Sequence, residues 1–459
     1  MNNETSDDEL ADALSRWLQK SLEIISARPH DFLGVATGLP CWYVESDGTY
    51  LRSSNLAIYN YKVLERELFD DFLPFTILDK SLSAHQKFLK HTVPVFGKLG
   101  GFVQLSSNRE FCRNLLPIPK IRNGRITIDT SLDVNGTISK FVAEINSTTL
   151  VSTTIWPVAG IATESAIKLG ANIEFRELTL AEKLTCLNFE IIKGWEPHRI
   201  SAGDSRWFGL CLTEIEEKLF GERATPLQAL TNRIDGKEAI IESFLSIVPL
   251  VIDQLAYHAG GTNGVPGFEF GGMLSSGIFG HGVSTGSHRF LYSDMNVAIS
   301  DAQSAYLADL WGILQSGSPS KFQKRVVNAA RRLYYADIRT HPEDMITDCM
   351  IAAESLYLDV ESSELSYRLA LNASLWAEGN AARRREVFDL LRQAYTLRSK
   401  VVHGSSADSH AIRSIINELK NVIREGIRKA FKSLKTSSAA PNWVNIIHSE
   451  LGGAETFRN

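Results

Sequence analysis

Two side chains near the end of one helical segment have the residue types and the spacing for chemistry on a phosphate. In the stretch LLRQAYTLRSKVVHGSS (residues 390–406), Arg398 precedes His403 by five residues. An imidazole accepts and donates protons near neutral pH. A guanidinium presents a rigid fork of donors that matches phosphate oxygens. The pair therefore suits proton transfer beside a bound phosphate.

Arg398 falls on the apolar face of its predicted helix. With Val387 at zero and about 100° per residue, Arg398 lies at about 20°. The apolar side chains within about 60° of Val387 are Leu390, Leu391, Ala394 and Val401. Because an unpaired buried charge is costly, this guanidinium must be paired, or it must face a cleft or a second subunit.

His403 is followed by Gly404, a typical residue just past a helix C-terminus. Two interpretations of this end stay open. In one, Arg398 and His403 act together on a ligand. In the other, Lys400 and His403 complement the negative end of the helix dipole while Arg398 forms a buried salt bridge.

The elements that must position this pair are helical. After residue 300, apolar periodicity predicts successive helices, with a break at Ser316–Ser320 and a helix start at Pro342, beside two acidic residues. The connections are short, and short connections make neighbouring helices antiparallel. The sequence therefore predicts a helical bundle over residues 291–440 and a C-terminal tail over 441–459.

Residues 1–290 have a different pattern. Leucines at steps of four, from Leu10 to Leu22, predict an amphipathic helix over residues 7–28. From residue 31 to 192, short β-branched runs between turn residues indicate a β-rich region, and helical periods return before residue 257. The predicted fold class is α+β, a β-rich N-terminal region with helices followed by an all-α bundle.

Residues 259–286 contain ten glycines, and the stretch GHGVSTG within them has the outline of a phosphate cradle. It lacks the Lys-Ser/Thr pair of a P-loop and the strand that precedes a dinucleotide fingerprint. A flexible connector or lid and a nucleotide loop are the two interpretations. The second would make the chain a different kind of enzyme.

Composition indicates a globular protein of 459 residues with a net charge of −5. Five scattered cysteines, an acidic start without signal-peptide regions and the lack of a long apolar run predict a soluble cytoplasmic protein. Neither the Cys nor the His spacing resembles a zinc site. Residues 321–435 hold 20 basic against 14 acidic side chains, which suits either a phosphate-rich partner or simple solubility.

Three segments of the C-terminal region resemble one known family. YTLRSKVVHG, residues 395–404, resembles the R-x4-6-H signature of the HEPN superfamily. PEDMITDCMIAAESLYL, which contains Glu354, and SELSYRLALNASLW, which contains Arg368 and Asn372, resemble the ApeA-like HEPN branch in order and spacing. The resemblance covers about residues 301–434 and does not extend to the rest of the chain.

This resemblance implies a function. Catalytically active HEPN domains are metal-independent endoribonucleases, and the ApeA-like branch is associated with bacterial defence against phage. The expected catalytic residues are Arg398 and His403, in a site composed from two protomers. We therefore expect a homodimer, an RNA substrate with tRNA among the candidates, a phage-derived trigger sensed by residues 1–290, no cofactor and no metal.

Five further residues are expected to support the pair, and their roles stay open. Glu354 either orients Arg398 or pairs with Arg368. Tyr395 and Asn372 either contact substrate or pack in the core, and Ser399 stands where many HEPN relatives have Asn, His or Asp. A noncatalytic HEPN module for binding or dimerisation is the alternative function.

Overall fold

The structure is a computed structural model, and it describes a defined set of residues. These are residues 5–44, 50–90, 95–97, 102–103, 107–117, 119–122, 125–180, 182–183, 199–200, 206–220, 226–252, 257–258, 261–264, 281–283, 296–358, 364–404, 409–437 and 439–450. The chain divides into two units, Met1–Lys237 with Tyr257–Asn296, and Glu238–Ala256 with Val297–Asn459. The boundary predicted at residue 290 differs from this division, because the segment Glu238–Ala256 packs with the C-terminal helices.

The first unit contains several helices, and those before residue 147 pack around one apolar core. Its helices are α1 (Asp7–Ala27), a 3-10 turn (Pro29–Phe32), α2 (Tyr61–Leu68), α3 (Leu73–Ala84), α4 (Gln86–Lys90), α5 (Asn108–Leu115), α6 (Val134–Asn146) and the first half of α7 (Pro226–Val251). The helix predicted over residues 7–28 is confirmed as α1, which begins with a capping box between Ser6 and Glu9. Its leucine face is buried, and the indole of Trp17 donates to the carbonyl oxygen of Leu68.

Antiparallel sheets make up the rest of this unit. Its strands are β1 (Leu33–Val44), β2 (Tyr50–Tyr59), β3 (Val95–Gly97), β4 (Phe102–Val103), β5 (Lys120–Arg122), β6 (Arg125–Thr127), β7 (Thr149–Ala159), β8 (Ile161–Ala162), β9 (Ile167–Lys168), β10 (Ile173–Glu177), β11 (Arg199–Ile200), β12 (Phe208–Phe220), β13 (Tyr257–His258), β14 (Gly261–Gly264) and β15 (His281–Val283). The largest sheet has the order β15-β14-β7-β12-β10-β9, and a second has the order β1-β2-β11.

The stretch indicated as β-rich, residues 31–192, also contains helices α2 to α6. Asp133 shows why the sequence pattern missed one of them. In DVNG its carboxylate accepts a hydrogen bond from the N–H of Gly136 at 2.9 Å, so these residues begin a helix instead of closing a hairpin. The same small polar residues favour turns and helix N-caps, which makes the two hard to distinguish in sequence. The α+β class is confirmed, with more helix in this region than expected.

The described part of the second unit is helical apart from the short strand β16 (Val297–Ala298). Besides the end of α7, it contains α8 (Asp301–Leu314), α9 (Lys321–Ile338), α10 (Pro342–Tyr357), α11 (Leu365–Trp376), α12 (Ala381–Val402), α13 (Ser409–Leu434) and α14 (Trp443–Glu450). The predicted break at Ser316–Ser320 and the predicted start at Pro342 are both confirmed. Helix α10 packs between its neighbours α9, α12 and α13.

Many basic side chains of this unit stabilise the ends of its own helices. Arg325 donates to carbonyl oxygens at the end of α10, Lys429 to the carbonyl oxygen of Trp376 at the end of α11, and Arg428 to that of Leu250 at the end of α7. A cation at this position satisfies carbonyls that lack a helical partner and complements the helix dipole. Part of the basic excess of residues 321–435 therefore has an internal, structural role.

Candidate functional site

Helix α12 holds Arg398 on its buried face, one turn from the C-terminal end of the helix. The fully buried side chains of this helix are Val387, Leu391, Ala394 and Leu397. Arg398 lies beside them, its Nε has no exposed surface and no hydrogen-bond partner, and the residue as a whole is partly exposed. Part of the side chain therefore reaches solvent while its Nε is withdrawn from it, a division common in long cationic side chains.

The different lengths of two paired helices explain this exposure. Helix α11 has 12 residues and α12 has 22. The Tyr367 ring, near the start of α11, packs edge to face on the Phe388 ring of α12 with centroids 5.6 Å apart. Arg398 follows Phe388 by ten residues, which is about 15 Å at the helical rise. The end of α12 therefore extends beyond the part that α11 covers.

Glu354 on α10 is a carboxylate whose pKa is affected by the charge of Arg398. Burial raises the pKa of Glu354, and the positive charge of Arg398 lowers it in part. Within the described residues, neither side chain forms an ion pair or a side-chain hydrogen bond. The buried salt bridge left open by the sequence is thus not formed by described residues. Glu354 and Arg398 interact through their charges, at longer range.

His403 ends α12 and presents its side chain to solvent. Its N–H donates to the carbonyl oxygen of Ser399 at 3.1 Å, and the N–H of Gly404 donates to that of Val401 at 3.1 Å. Gly404 has φ of +70°, the left-handed conformation expected of a residue just past a helix end. Arg398 and His403 thus share the last two turns of one helix, the arginine partly exposed and the histidine exposed.

The other predicted supporting residues lie at different distances from the pair. Tyr395 and Ser399 are half-buried on α12, within one turn of Arg398. Arg368 follows Tyr367, whose ring packs on Phe388, so Arg368 lies about 15 Å from Arg398 along the α12 axis. Asn372 is buried and donates to the carbonyl oxygen of Tyr357 at 2.8 Å, which ties α11 to the end of α10. Of the two roles considered for Asn372, the structure supports packing in the core.

A charged cluster in the first unit is fully satisfied by its own members. The guanidinium of Arg176 donates twice to the Glu182 carboxylate, at 2.8 Å each, and the N–H of Thr179 donates to the same carboxylate at 2.7 Å. Burial raises the pKa of Glu182, but these hydrogen bonds outweigh burial and the net shift is downward. The arrangement is typical of a structural ion pair at a helix start.

A second polar cluster joins the start of α1 to two other helices. The carboxylate of Asp7 accepts hydrogen bonds from His85 at 2.9 Å, from Lys87 and from Asn146 at 2.7 Å. The N–H of Phe88 donates to Nδ1 of His85, so the proton of the neutral ring lies on Nε2 and points at Asp7. This buried histidine is therefore held in place by structural contacts on both ring nitrogens.

The described residues contain no group of three or more His, Cys, Asp or Glu side chains arranged to hold a metal ion. The glycine-rich prediction, residues 259–286, falls mostly outside the described residues, apart from β14 and β15. Among the described helices, none combines the length and the apolar character needed to cross a bilayer.

The sequence indicated Arg398 and His403 as a pair, but it did not indicate which other basic side chains of the C-terminal unit are free to bind a ligand. The basic residues at the start of α9 were visible in KFQKRVVNAARR only as part of a general basic excess. Which of them are bound inside the unit is a tertiary property. No protein-family model, no curated protein and no solved structure matches this chain.

Proposed function

We propose that this protein is a metal-independent endoribonuclease of the HEPN type, with Arg398 and His403 as its catalytic residues. The observation that carries the proposal is the state of Arg398. Its Nε is buried and the residue is partly exposed, yet it forms no ion pair or side-chain hydrogen bond with a described residue. A partly exposed cation without an ion-pair partner is suited to bind an anion, and the same helix end exposes an imidazole.

RNA supplies the nucleophile for this reaction. The 2′-oxygen attacks the neighbouring phosphorus and gives up its proton to a base, while the bond from phosphorus to the 5′-oxygen breaks and that oxygen takes a proton from an acid. The products are a 2′,3′-cyclic phosphate and a 5′-hydroxyl end. His403 serves as one proton-transfer group, and Arg398 stabilises the charge that develops on the nonbridging oxygens.

Two copies of the chain complete the site in this proposal. The reaction needs a base and an acid at the same time, whereas the last turn of α12 provides one imidazole. A second copy packed against this helix end supplies the other His403, with Arg398 of each copy facing the same groove. In this scheme the first unit responds to a trigger, and the protein acts as an effector of defence against phage.

A cleavage assay in the presence of EDTA tests the proposal. Purified protein, with and without extract from phage-infected cells, is incubated with total RNA beside the variants Arg398→Ala and His403→Ala. We expect cleavage that survives chelation and falls by at least about 100-fold in each variant. The fragments should carry cyclic phosphate and 5′-hydroxyl ends.

Lys400→Ala is the matched control, since Lys400 is exposed on the same helix between the two residues. It should leave cleavage within about two-fold of wild type, as expected of a surface cation away from the reacting atoms. If the wild type leaves RNA intact under every condition, the ribonuclease proposal is wrong, and a noncatalytic binding or dimerisation module becomes the better account.

A further inference from the structure

Three cations on the exposed face of α9 have no partner among the residues that the structure describes. Lys321, Lys324 and Arg331 are exposed, and they form neither an ion pair nor a side-chain hydrogen bond there. At about 100° per residue they fall within an arc of about 80° on the helix, opposite its buried side chains. We call these three side chains the α9 cationic face.

Two other arginines of α9, in contrast, form hydrogen bonds with α10. Arg332 donates to the buried carboxylate of Asp348 at 2.9 Å, and Arg325 donates to the carbonyl oxygen of Ser355 at 2.8 Å. Both of these arginines hold α10 against α9. The α9 cationic face is therefore the part of this basic helix that packing does not use.

Two of these cations stand where they weaken their own helix. Lys321 and Lys324 lie in the first four residues of α9, whose first turn contains no acidic side chain. A cation at a helix N-terminus opposes the helix dipole and destabilises the helix. A locally unfavourable choice of this kind is expected where a residue serves binding instead of stability.

Contacts on α10 put this face level with Arg398. The side chains of Arg325 and Asn328 both bind Ser355, from the first half of α9. Glu354, the residue before Ser355 on α10, lies about 100° round the helix from it and within electrostatic range of Arg398 on α12, which also packs on α10. Arg398 and the start of α9 therefore flank one helix, and ordinary interaxial spacings put the axes of α9 and α12 about 12–15 Å apart. The half-buried, uncharged Ile351 and Leu358 lie on the α10 surface between them.

We infer that the α9 cationic face binds the phosphate backbone of an RNA strand that crosses α10 and places its scissile phosphate at Arg398 and His403. This inference rests on the proposed ribonuclease function and adds the path of the substrate. Cations on flexible stems neutralise phosphates without reading bases, so the face contributes affinity and not sequence preference.

Binding and cleavage of single-stranded RNA by one triple variant test this path. The variant combines Lys321→Gln, Lys324→Gln and Arg331→Gln. RNA affinity is measured by fluorescence anisotropy with a labelled mixed-sequence strand in EDTA, in a His403→Ala background so that the strand stays intact. At about 0.1 M salt we expect binding roughly 10- to 100-fold weaker, with the slope of log affinity against log salt reduced by about 2. In the cleavage-competent chain, KM should rise by a similar factor while kcat changes little.

The control removes the same charge elsewhere, with Lys62→Gln, Lys80→Gln and Lys140→Gln, three exposed lysines of the first unit without described partners. It should keep wild-type affinity and salt slope. If the α9 variant binds RNA as tightly as this control, the inference is wrong even though wild-type cleavage still supports the ribonuclease. If the α9 variant loses kcat while its KM and its RNA affinity stay at the wild-type values, the path is likewise wrong. A wild type that binds RNA normally and cuts none overturns the proposed function and, with it, the placement of a scissile phosphate; the binding result then decides only whether the α9 cationic face contacts RNA.

Discussion

Glu354 is a carboxylate on which two neighbouring effects act in opposite directions. Burial raises its pKa, and the charge of Arg398 offsets part of that rise. The carboxylate is close enough to orient the guanidinium by its field. Because the two groups form no ion pair, the carboxylate does not occupy the donors that a phosphate needs. A tight salt bridge would leave Arg398 satisfied and less able to bind substrate.

The variant Glu354→Gln tests separately how the Glu354 charge affects stability and how it affects RNA cleavage. The folded chain holds the Glu354 proton more tightly than the unfolded chain, so stability falls as the pH rises from the ordinary value of 4.5 through the raised folded pKa. We expect the variant to unfold at a higher denaturant concentration than wild type at neutral pH, with the difference vanishing below pH 4.5. RNA cleavage should fall roughly 10- to 100-fold if the field positions Arg398.

Glu378→Gln is the control for that measurement, because Glu378 is exposed just after α11. It should change neither the pH profile of the unfolding midpoint nor cleavage. Equal stability of Glu354→Gln and wild type at neutral pH, together with full activity, would contradict both roles assigned to this carboxylate.

The end of α12 depends on a backbone conformation at Gly404 that other residues adopt at a cost. Its φ is +70°, and a Cβ added there would meet no atom within 4 Å. The cost of Gly404→Ala is therefore a backbone cost alone, about 1–2 kcal/mol. Because His403 lies in the same turn, we expect the variant to lower both the free energy of unfolding and RNA cleavage, measured by denaturant titration and by the EDTA assay.

Gly312 offers the same substitution with the opposite sign. It lies inside α8, with no φ in the left-handed region and open space around it. Gly312→Ala should therefore stabilise the protein by about 0.5–1 kcal/mol and leave cleavage unchanged. If Gly404→Ala and Gly312→Ala changed the free energy of unfolding equally, the left-handed conformation at the end of α12 would carry no backbone cost.

The sequence predicted those features of the elements that are set by neighbouring residues. The Gly404 conformation, the break before α9 and the start of α10 at Pro342 follow from local backbone preferences, and each is confirmed. The exposure of Arg398 depends on α11 being shorter than α12, and that pairing involves residues far apart in the chain. The sequence could place Glu354 on a helix face, but not decide which arginine its charge would reach. Helix α6 was missed because Asp133 has the same local signal in a turn and in an N-cap.

At the scale of the whole molecule, helix α7 belongs in part to the C-terminal unit. Its second half buries Phe244, Leu245 and Val248, and the Phe244 ring lies 6.4 Å from the Trp311 ring of α8. The hydroxyl of Tyr335 on α9 donates to Glu242 at 3.0 Å. Arg428 of α13 binds the carbonyl oxygens that end the helix, so three helices of this unit contact α7.

A fragment that begins after the glycine-rich region therefore lacks part of its own core. We expect residues 297–459 alone to unfold at a lower denaturant concentration than residues 238–256 joined to 297–459 by a Gly/Ser linker of native length. The loss should exceed roughly 3 kcal/mol, the contribution of one large apolar side chain, because several such side chains of α7 are removed together. Circular dichroism during denaturant titration measures both midpoints. The joined fragment with Phe244→Ala and Leu245→Ala should fall between them, because it keeps the helix and loses two of its buried side chains. If the fragment without α7 unfolds at the same midpoint as the joined one, the helix is not part of this unit's core, and the sequence boundary at residue 290 is the better division of the chain.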